Sequence, residues 1–241
     1  MPPNVNANPR ILLIIPAFNE RDNIRSLLLS LREQGLEALV VNDGSSDDTA
    51  EVCASIGANI VSLPCNLGIG GAVQTGYKYA YTHGYDIAIQ FDGDGQHRAE
   101  FVPTLIAPLL AGQADLSIGS RYIEKEGFQS TFLRRAGIRY FSRLIRMISG
   151  QTVTDPTSGF RAVNREIMAM FAQQYPTDYP EPESIVHVLR LGGRVAEVPV
   201  LMSERVGGRS SIRSFRSIYY MIKVSLAILI DALRGSGVRR T

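Results

Sequence analysis

Short apolar runs alternate with amphipathic stretches through the first half of the chain. The segment Arg10 to Ile15 is a continuous apolar run closed by Pro16, and Ala38 to Val41 is a second, closed by Asn42, Asp43 and Gly44. Unbroken runs of this length predict strands buried on both faces of a parallel sheet. Between them Ile24, Leu27, Leu28 and Leu31 recur at helical spacing, with Asp22 or Asn23 as cap and Gly35 as stop. The alternation continues with a helix from Thr49 to Ile56 capped by Asp47 or Asp48, a short strand from Asn59 to Leu63, a helix from Ala72 to Thr82 and a strand from Asp86 to Phe91. That order predicts right-handed βαβ units.

After about residue 115 the regularity weakens. A short strand is expected over Leu116 to Ile118, a basic amphipathic helix over Arg134 to Ile148 and a strand over Arg194 to Pro199. Near the C-terminus Ile212, Phe215, Tyr219, Ile222, Leu226 and Leu229 recur every three or four residues, predicting an amphipathic helix from Ile212 to Leu233. The expected fold class is α/β: a mostly parallel central sheet flanked by helices over residues 1–210, then a C-terminal amphipathic helix and tail over 211–241.

Composition narrows this little, because 241 residues with 45% hydrophobic and 20% charged suit one domain or a domain plus an appendage. Charge distribution changes more. The 25 basic and 23 acidic residues nearly cancel, so no nucleic-acid partner is expected, yet the basic ones cluster. Arg121, Lys125, Arg134, Arg135, Arg139, Arg143 and Arg146 face only Glu124 and Glu126 in sequence, and a second group runs from Arg205 to Arg216. Such clusters suit phosphates or anionic lipid heads. Cys53 and Cys65 lack metal-ligand spacing and are expected to be reduced packing residues in a cytoplasmic protein. No signal peptide is read in MPPNVNANPR, and Val224 to Ile230 falls far short of the ~20 residues of a spanning helix.

Chemistry gathers where the strands end. In an open parallel sheet, ligands bind at the carboxyl ends of the strands. Here those ends read PAFNE (Pro16 to Glu20), NDGSSDD (Asn42 to Asp48) and DGDGQH (Asp92 to His97). Any one of them is explained by turn residues in a solvated loop; three in register point to a site. Asp92 and Asp94, two residues apart with glycines between and after, can converge on one hard cation that also binds diphosphate oxygens, implying Mg2+ or Mn2+. An EF-hand is excluded because the run lacks the further ligands and the glutamate about twelve positions on. Gln96 supplies a possible third oxygen, and His97 is either a participant or a structural neighbour. NLGIGG (Asn66 to Gly71) has glycines at 68, 70 and 71, which matches neither GxGxxG nor a Walker loop; Gly68 and its neighbours allow close backbone approach to a ligand or simply a tight turn.

Taken jointly and in order, IPAFNE, VVNDGSSDDT, NLGIGGAVQTGY, QFDGDGQH, IGSRY and DPTSGFRAVNR resemble family 2 glycosyltransferases of the GT-A fold over roughly residues 10 to 210. The resemblance is to the branch containing dolichol-phosphate mannose synthase and bacterial polyprenyl-phosphate sugar transferases. It implies a nucleotide-binding half over about 10–120 and an acceptor half over about 121–210. By the same resemblance Pro16, Phe18, Glu20 and Asp43 line the nucleotide pocket, with Asp43 bonding the base; Asp92, Asp94 and Gln96 match a metal-binding DxDxQ. Arg121 and Arg205 match arginines that neutralise donor and acceptor phosphates, and Ser158 sits near the acceptor phosphate. The pattern departs at Gly93, where the branch often has alanine, and at Ser211, where it has lysine; Arg209 or Arg213 are the nearby cations.

The chemistry implied is one inverting displacement, in which the cation and arginines stabilise charge growing on the leaving diphosphate. A lipid-phosphate acceptor is already anionic and requires no strong base, whereas a hydroxyl acceptor requires a carboxylate. Asp155 and either Glu181 or Glu183 are the candidates. Three readings follow. The first is transfer from a UDP-, GDP- or dTDP-sugar to polyprenyl phosphate at the inner face of the cell membrane. The second is a soluble transferase acting on a glycan hydroxyl, and the third a nucleotide-sugar-binding protein without turnover. The C-terminal helix, with Arg213, Arg216 and Lys223 beside its apolar stripe, is expected to lie in the headgroup region, to dock on a small membrane protein, to pack on its own domain or to form a homodimer contact.

Overall fold

The computed structural model describes residues 9–93, 95–124, 132–177, 180–202, 221–226 and 228. Asp94, Arg205, Ser211, Arg209, Arg213 and most of the expected C-terminal helix lie outside the described residues.

The elements in chain order are β1 (Ile11–Ala17), α1 (Arg21–Glu33), β2 (Ala38–Asn42), α2 (Thr49–Ser55), β3 (Asn59–Ser62), α3 (Gly68–Thr82) and β4 (Ile87–Gln90). There follow α4 (Val102–Leu110), β5 (Leu116–Ser120), α5 (Phe132–Ser149), β6 (Arg161–Asn164), α6 (Arg165–Gln173), α7 (Pro180–Arg190) and β7 (Val195–Pro199). They build one seven-stranded sheet in the order β3-β2-β1-β4-β6-β5-β7. All pairings are parallel except those of β6, which runs antiparallel to both β4 and β5.

Alternation along β1 assigns the two cores. Leu12 and Ile14 pack with Val73 and Tyr77 of α3, Phe141 of α5, Phe171 of α6 and Val186 of α7. Leu13 and Ile15 pack on the other face with Ile24 and Leu31 of α1, Cys53 of α2 and Leu105 of α4. Helices on both faces explain why the central strands read as unbroken apolar runs.

Several expectations are corrected. Pro16 does not close β1, which continues to Ala17 with Pro16 opposite Val41 of β2. Leu13 and Ala17 bond toward β2, while Ile14 bonds toward β4, so Pro16 directs its missing donor toward β4. There the paired residues have already ended at Ile14 and Gln90, so no ladder bond is lost. The glycines of NLGIGG lie within α3, which starts at Gly68 rather than Ala72. Gly70 must be glycine because a Cβ would collide with the Pro176 carbonyl oxygen. Cys53 is buried as a packing residue should be, but Cys65 is exposed.

Residues 221–226, inside the expected C-terminal helix, are helical. Val224 joins the same core as α5, and the Tyr140 and Ser225 hydroxyls lie 2.9 Å apart.

Candidate active site

The reversed strand β6 creates the site. Because it runs against its neighbours, the segment that precedes it, Asp155 to Phe160, arrives at the same sheet edge as the carboxyl ends of β1, β2, β4 and β5. TSGFR, remote in sequence from DGDGQH, thereby joins it in space. A Cβ on Gly159 would lie 2.9 Å from Oδ2 and 3.2 Å from Oδ1 of Asp92.

The first two loops are tied together. Asn19 holds a left-handed φ of 58°, which asparagine tolerates better than most residues. Its side-chain oxygen accepts the Ser46 N–H at 2.9 Å, and its own N–H donates to Ser45 Oγ at 3.0 Å. The Glu20 N–H donates to Thr49 Oγ1 at 2.9 Å. Asp47 accepts the N–H and hydroxyl of Thr49 and the Arg21 N–H. Burial alone would raise the Asp47 pKa, but these donors outweigh it and leave the carboxyl below its ordinary value. Pro16 and Glu20 are half-buried beside this junction, and Phe18 is exposed.

Asp43 is buried, and its two oxygens accept the N–H groups of Leu67 at 2.7 Å and Gly68 at 2.9 Å. It fastens the end of β2 to the first turn of α3, satisfying donors that a helix start leaves unpaired. Any bond to a nucleotide base uses the remaining lone pairs of a carboxylate already fixed in place.

Asp92 follows β4. Its N–H donates to Nδ1 of His97 at 2.9 Å, so the neutral ring carries its proton on Nε2, which stands 3.5 Å from Asp92 Oδ2. His97 is buried and stacks on Phe160 with centroids 4.9 Å apart, which makes it a structural support of the acidic loop. The Asp92 carboxylate itself remains 32% exposed. A hard oxygen donor, open to solvent and paired with no lysine or arginine among the described residues, fits a divalent cation. Gln96 is half-buried nearby in sequence, and no group of three His, Cys, Asp or Glu side chains converges among the described residues.

Arg121, just after β5, is buried and makes a fork with Asp155: Nε to Oδ2 at 2.7 Å and Nη2 to Oδ1 at 2.8 Å. Burial would lower the pKa of the guanidinium, but Asp155 outweighs burial and keeps it charged, with Asp92 adding a smaller attraction. Asp155 is fully buried with both oxygens engaged, an arrangement suited to orienting Arg121 rather than collecting a proton. Ser158 is also turned inward, its hydroxyl accepting the Phe160 N–H at 3.3 Å.

The α7 carboxylates separate by helix geometry. Positions two apart point about 200° from one another, so Glu181 and Glu183 occupy different faces. Burial pushes the Glu181 carboxyl up, while the positive charge of Arg161 opposes this and the negative charge of Asp92 adds to it. Glu181 is thus an α7 carboxylate in the field of Asp92. Arg161, the largest fully buried side chain among the described residues, staples this helix start to the TSGF loop, donating to Ser158 O at 2.6 Å, Glu181 O at 3.2 Å and Ser184 Oγ at 2.9 Å.

Sequence reasoning missed Gly159, Arg161 and Glu197. For Glu197 a signal existed: it is an acidic residue in the middle of the apolar strand VAEVP.

The sequence profile described as glycosyl transferase family 2 matches residues 12–171, spanning every strand from β1 to β6. The chain belongs to glycosyl transferase family 2. This family 2 transferase is 30% identical over 217 residues to an undecaprenyl-phosphate mannosyltransferase of Micrococcus luteus, covering 84% of the chain and 87% of that protein. It is 26% identical over 250 residues to a UDP-N-acetylglucosamine–dolichyl-phosphate N-acetylglucosaminyltransferase of Methanococcus voltae, covering 93% of the chain and 100% of the relative. Its fold matches the crystal structure of glucosyl-3-phosphoglycerate synthase from Mycobacterium tuberculosis in complex with Mn2+, UDP and glucosyl-3-phosphoglycerate. That match has a TM-score of 0.72 at 23% identity over 98% of this chain and 83% of the other. The family 2 transferase thus has the GT-A fold expected of it. Among the described residues, no helix is long and apolar enough to cross a membrane.

Proposed function

We propose that this transferase moves a sugar from a nucleoside diphosphate sugar to a polyprenyl phosphate, with Mg2+ or Mn2+, at the cytoplasmic face of the membrane. The observation that carries the acceptor is that both relatives, matched over 84% and 93% of the chain, act by name on undecaprenyl or dolichyl phosphate. Mn2+ and UDP in the glucosyl-3-phosphoglycerate synthase complex support the donor and metal chemistry.

In this reading Phe18, Glu20 and Asp43 form the nucleotide end of the site, with the α3 start held by Asp43. Gly68, at the first position of α3, brings backbone close to the donor. Asp92, with Asp94 and Gln96, holds the cation, which when bound neutralises charge on the diphosphate. Arg121 and Arg205 face the phosphates. An oxygen of the acceptor phosphate attacks the anomeric carbon, the bond from that carbon to the diphosphate oxygen breaks, and the nucleoside diphosphate departs with inversion. The acceptor oxygen is anionic near neutral pH, so no proton needs to be removed. Membrane contact is supported by α5, whose exposed Arg135, Arg139, Arg143 and Arg146 form a stripe beside exposed Tyr140 and Met147.

A second reading is favoured by one observation. Glu181 lies in the field of Asp92 with its carboxyl pushed up by burial, as a general base for a hydroxyl acceptor requires. One assay separates the two: release of nucleoside diphosphate from UDP-, GDP- and dTDP-sugars with Mn2+, with and without a short polyprenyl phosphate. Release that requires the lipid phosphate and survives Glu181→Gln supports the first reading. Release onto hydroxyl acceptors alone, abolished by Glu181→Gln, replaces it with the second, and no release with any donor overturns both.

A further inference from the structure

The anchor of Arg121 does not end at Asp155. Glu197 projects from β7, at the strand position paired with Ile118 of β5, and its carboxylate collects three donors from the segment that carries Asp155. Oε2 accepts the Thr154 N–H at 2.6 Å, and Oε1 accepts the Asp155 N–H at 2.8 Å and the Thr154 hydroxyl at 3.0 Å. The Ser120 hydroxyl, beside Arg121, lies 2.7 Å from Thr154 Oγ1 and closes the arrangement. Two consecutive backbone N–H groups and one hydroxyl thus converge on a single acidic side chain, one bond removed from the fork on Arg121.

We propose that Glu197 is a positioning residue for phosphate binding: it fixes the Thr154–Asp155 backbone, and through Asp155 aims the Arg121 guanidinium at the nucleotide diphosphate. The proposal rests on the reading of Arg121 as a phosphate-binding group. A bidentate pair binds well only when both partners are held in one plane, and Glu197 supplies that restraint from outside the pair. A carboxylate is needed rather than an amide. All three partners donate, and a glutamine at 197 would turn its own donor toward one of them. An apolar strand with no functional burden would carry valine or isoleucine here, at no cost in desolvating a charge.

The test is a double-mutant cycle read by calorimetric affinity for UDP, GDP and dTDP in the presence of Mn2+, using the full chain. Glu197→Gln is expected to weaken the tightest of the three about tenfold, while adding less than twofold in an Arg121→Lys background. Arg121→Lys keeps a cation beside Asp155 but cannot form the fork. If Glu197→Gln weakens binding equally in both backgrounds, Glu197 supports the fold generally and the proposal fails. It also fails if Glu197→Gln leaves every affinity unchanged. If Arg121→Lys itself changes none of them, the phosphate-binding reading of Arg121 is what fails. Should Glu197→Gln not fold, Thr154→Val removes the hydroxyl partner alone and runs through the same cycle, with a loss of about threefold expected and the same pattern of non-additivity required.

Discussion

Gly159 and Asp92 meet so closely that a methyl group on the glycine would stand 2.9 Å from a carboxylate oxygen. The backbone beside that carboxylate is packed as well: a Cβ on Gly93 would touch the Pro16 carbonyl oxygen at 3.5 Å and Glu20 Cγ at 3.8 Å. Gly159→Ala is therefore expected to lower turnover about tenfold or more, raise the Mn2+ concentration needed for half-maximal rate, and cost about 1–3 kcal/mol of stability through overpacking. Steady-state rates against Mn2+ check it. An unchanged Mn2+ requirement means that the loop yields and that Gly159 has no part in shaping the metal side.

Asp92 offers a partly exposed oxygen ligand that forms no ion pair with an arginine or lysine among the described residues. Asp92→Asn keeps its size and removes the charge, so turnover is expected to fall about a hundredfold or more, consistent with loss of a principal electrostatic term. EDTA should silence the wild-type protein, and added Mn2+ or Mg2+ should restore it. Mn2+ binding followed by electron paramagnetic resonance gives a readout separate from turnover, and full Mn2+ affinity in Asp92→Asn would remove Asp92 from the metal site.

Asp43→Ala leaves the Leu67 N–H without its acceptor and the Gly68 N–H with Asn66 Oδ1, 3.1 Å away, in place of the carboxylate. Losing two charge-assisted bonds made by a buried carboxylate is expected to cost about 2–4 kcal/mol and to weaken nucleoside diphosphate binding together with stability. Denaturant melts and calorimetry measured in parallel check the coupling. Normal stability with weakened binding would assign Asp43 to the base alone.

Much of this was legible in the chain. β1, β2 and β4 are unbroken apolar runs because helices cover both faces of the sheet, and the acidic loops that follow β2 and β4 declared themselves by composition. β6 was not legible because it opens with Arg161, a charge that pattern reading places outside and that the fold buries under three oxygen acceptors, Ser158 O, Glu181 O and Ser184 Oγ. α7 was hidden by Pro180 and Pro182, which look like breakers but occupy the first turn, where no N–H has a helical partner. The roles of Gly159 and Glu197 depend on which segments meet across the reversed strand, and no local pattern encodes that meeting. The fork between Asp155 and Arg121 was not legible for the same reason, since the two are 34 positions apart in sequence.

At the opposite end of the sheet Asp115 joins three elements. It accepts the Arg194 N–H at 2.8 Å, the Arg194 guanidinium at 3.0 Å and the Asn164 amide at 2.9 Å. Burial would raise its pKa, but the Arg194 donors outweigh burial and hold the carboxyl below its ordinary value. A depressed folded-state pKa contributes stability above the unfolded carboxylate value, and that contribution disappears as pH falls through the folded one. Asp115→Ala is thus expected to lose about 2 kcal/mol at neutral pH, a drop of about 4–8 °C in melting midpoint, with the gap to wild type closing below about pH 4. A gap that persists unchanged in acid would show that packing, not the charge, carries the effect. Turnover of the folded fraction should not change.

The face of α5 has the charge pattern that an anionic membrane surface would attract. From Phe132 to Ser149 the helix contains no acidic residue, and its exposed Arg135, Arg139, Arg143 and Arg146 recur at spacings of three and four. Ile138, Phe141 and Ile145 bury the opposite face, while Tyr140 and Met147 stay exposed beside the arginines. On the helix next to it, Ile222 and Leu226 are exposed one turn apart. Arginines at an anionic surface contribute about 1 kcal/mol each, and the contribution is screened by salt. Binding to phosphatidylglycerol vesicles is therefore expected to exceed binding to pure phosphatidylcholine and to weaken with added salt. Replacing Arg139, Arg143 and Arg146 together by alanine should reduce it about a hundredfold, while leaving release of nucleoside diphosphate with a short, water-soluble polyprenyl phosphate close to wild type. Vesicle flotation beside that assay separates the outcomes: equal loss of both would place the arginines in the active site, and vesicle binding indifferent to phosphatidylglycerol would exclude α5 as the docking face.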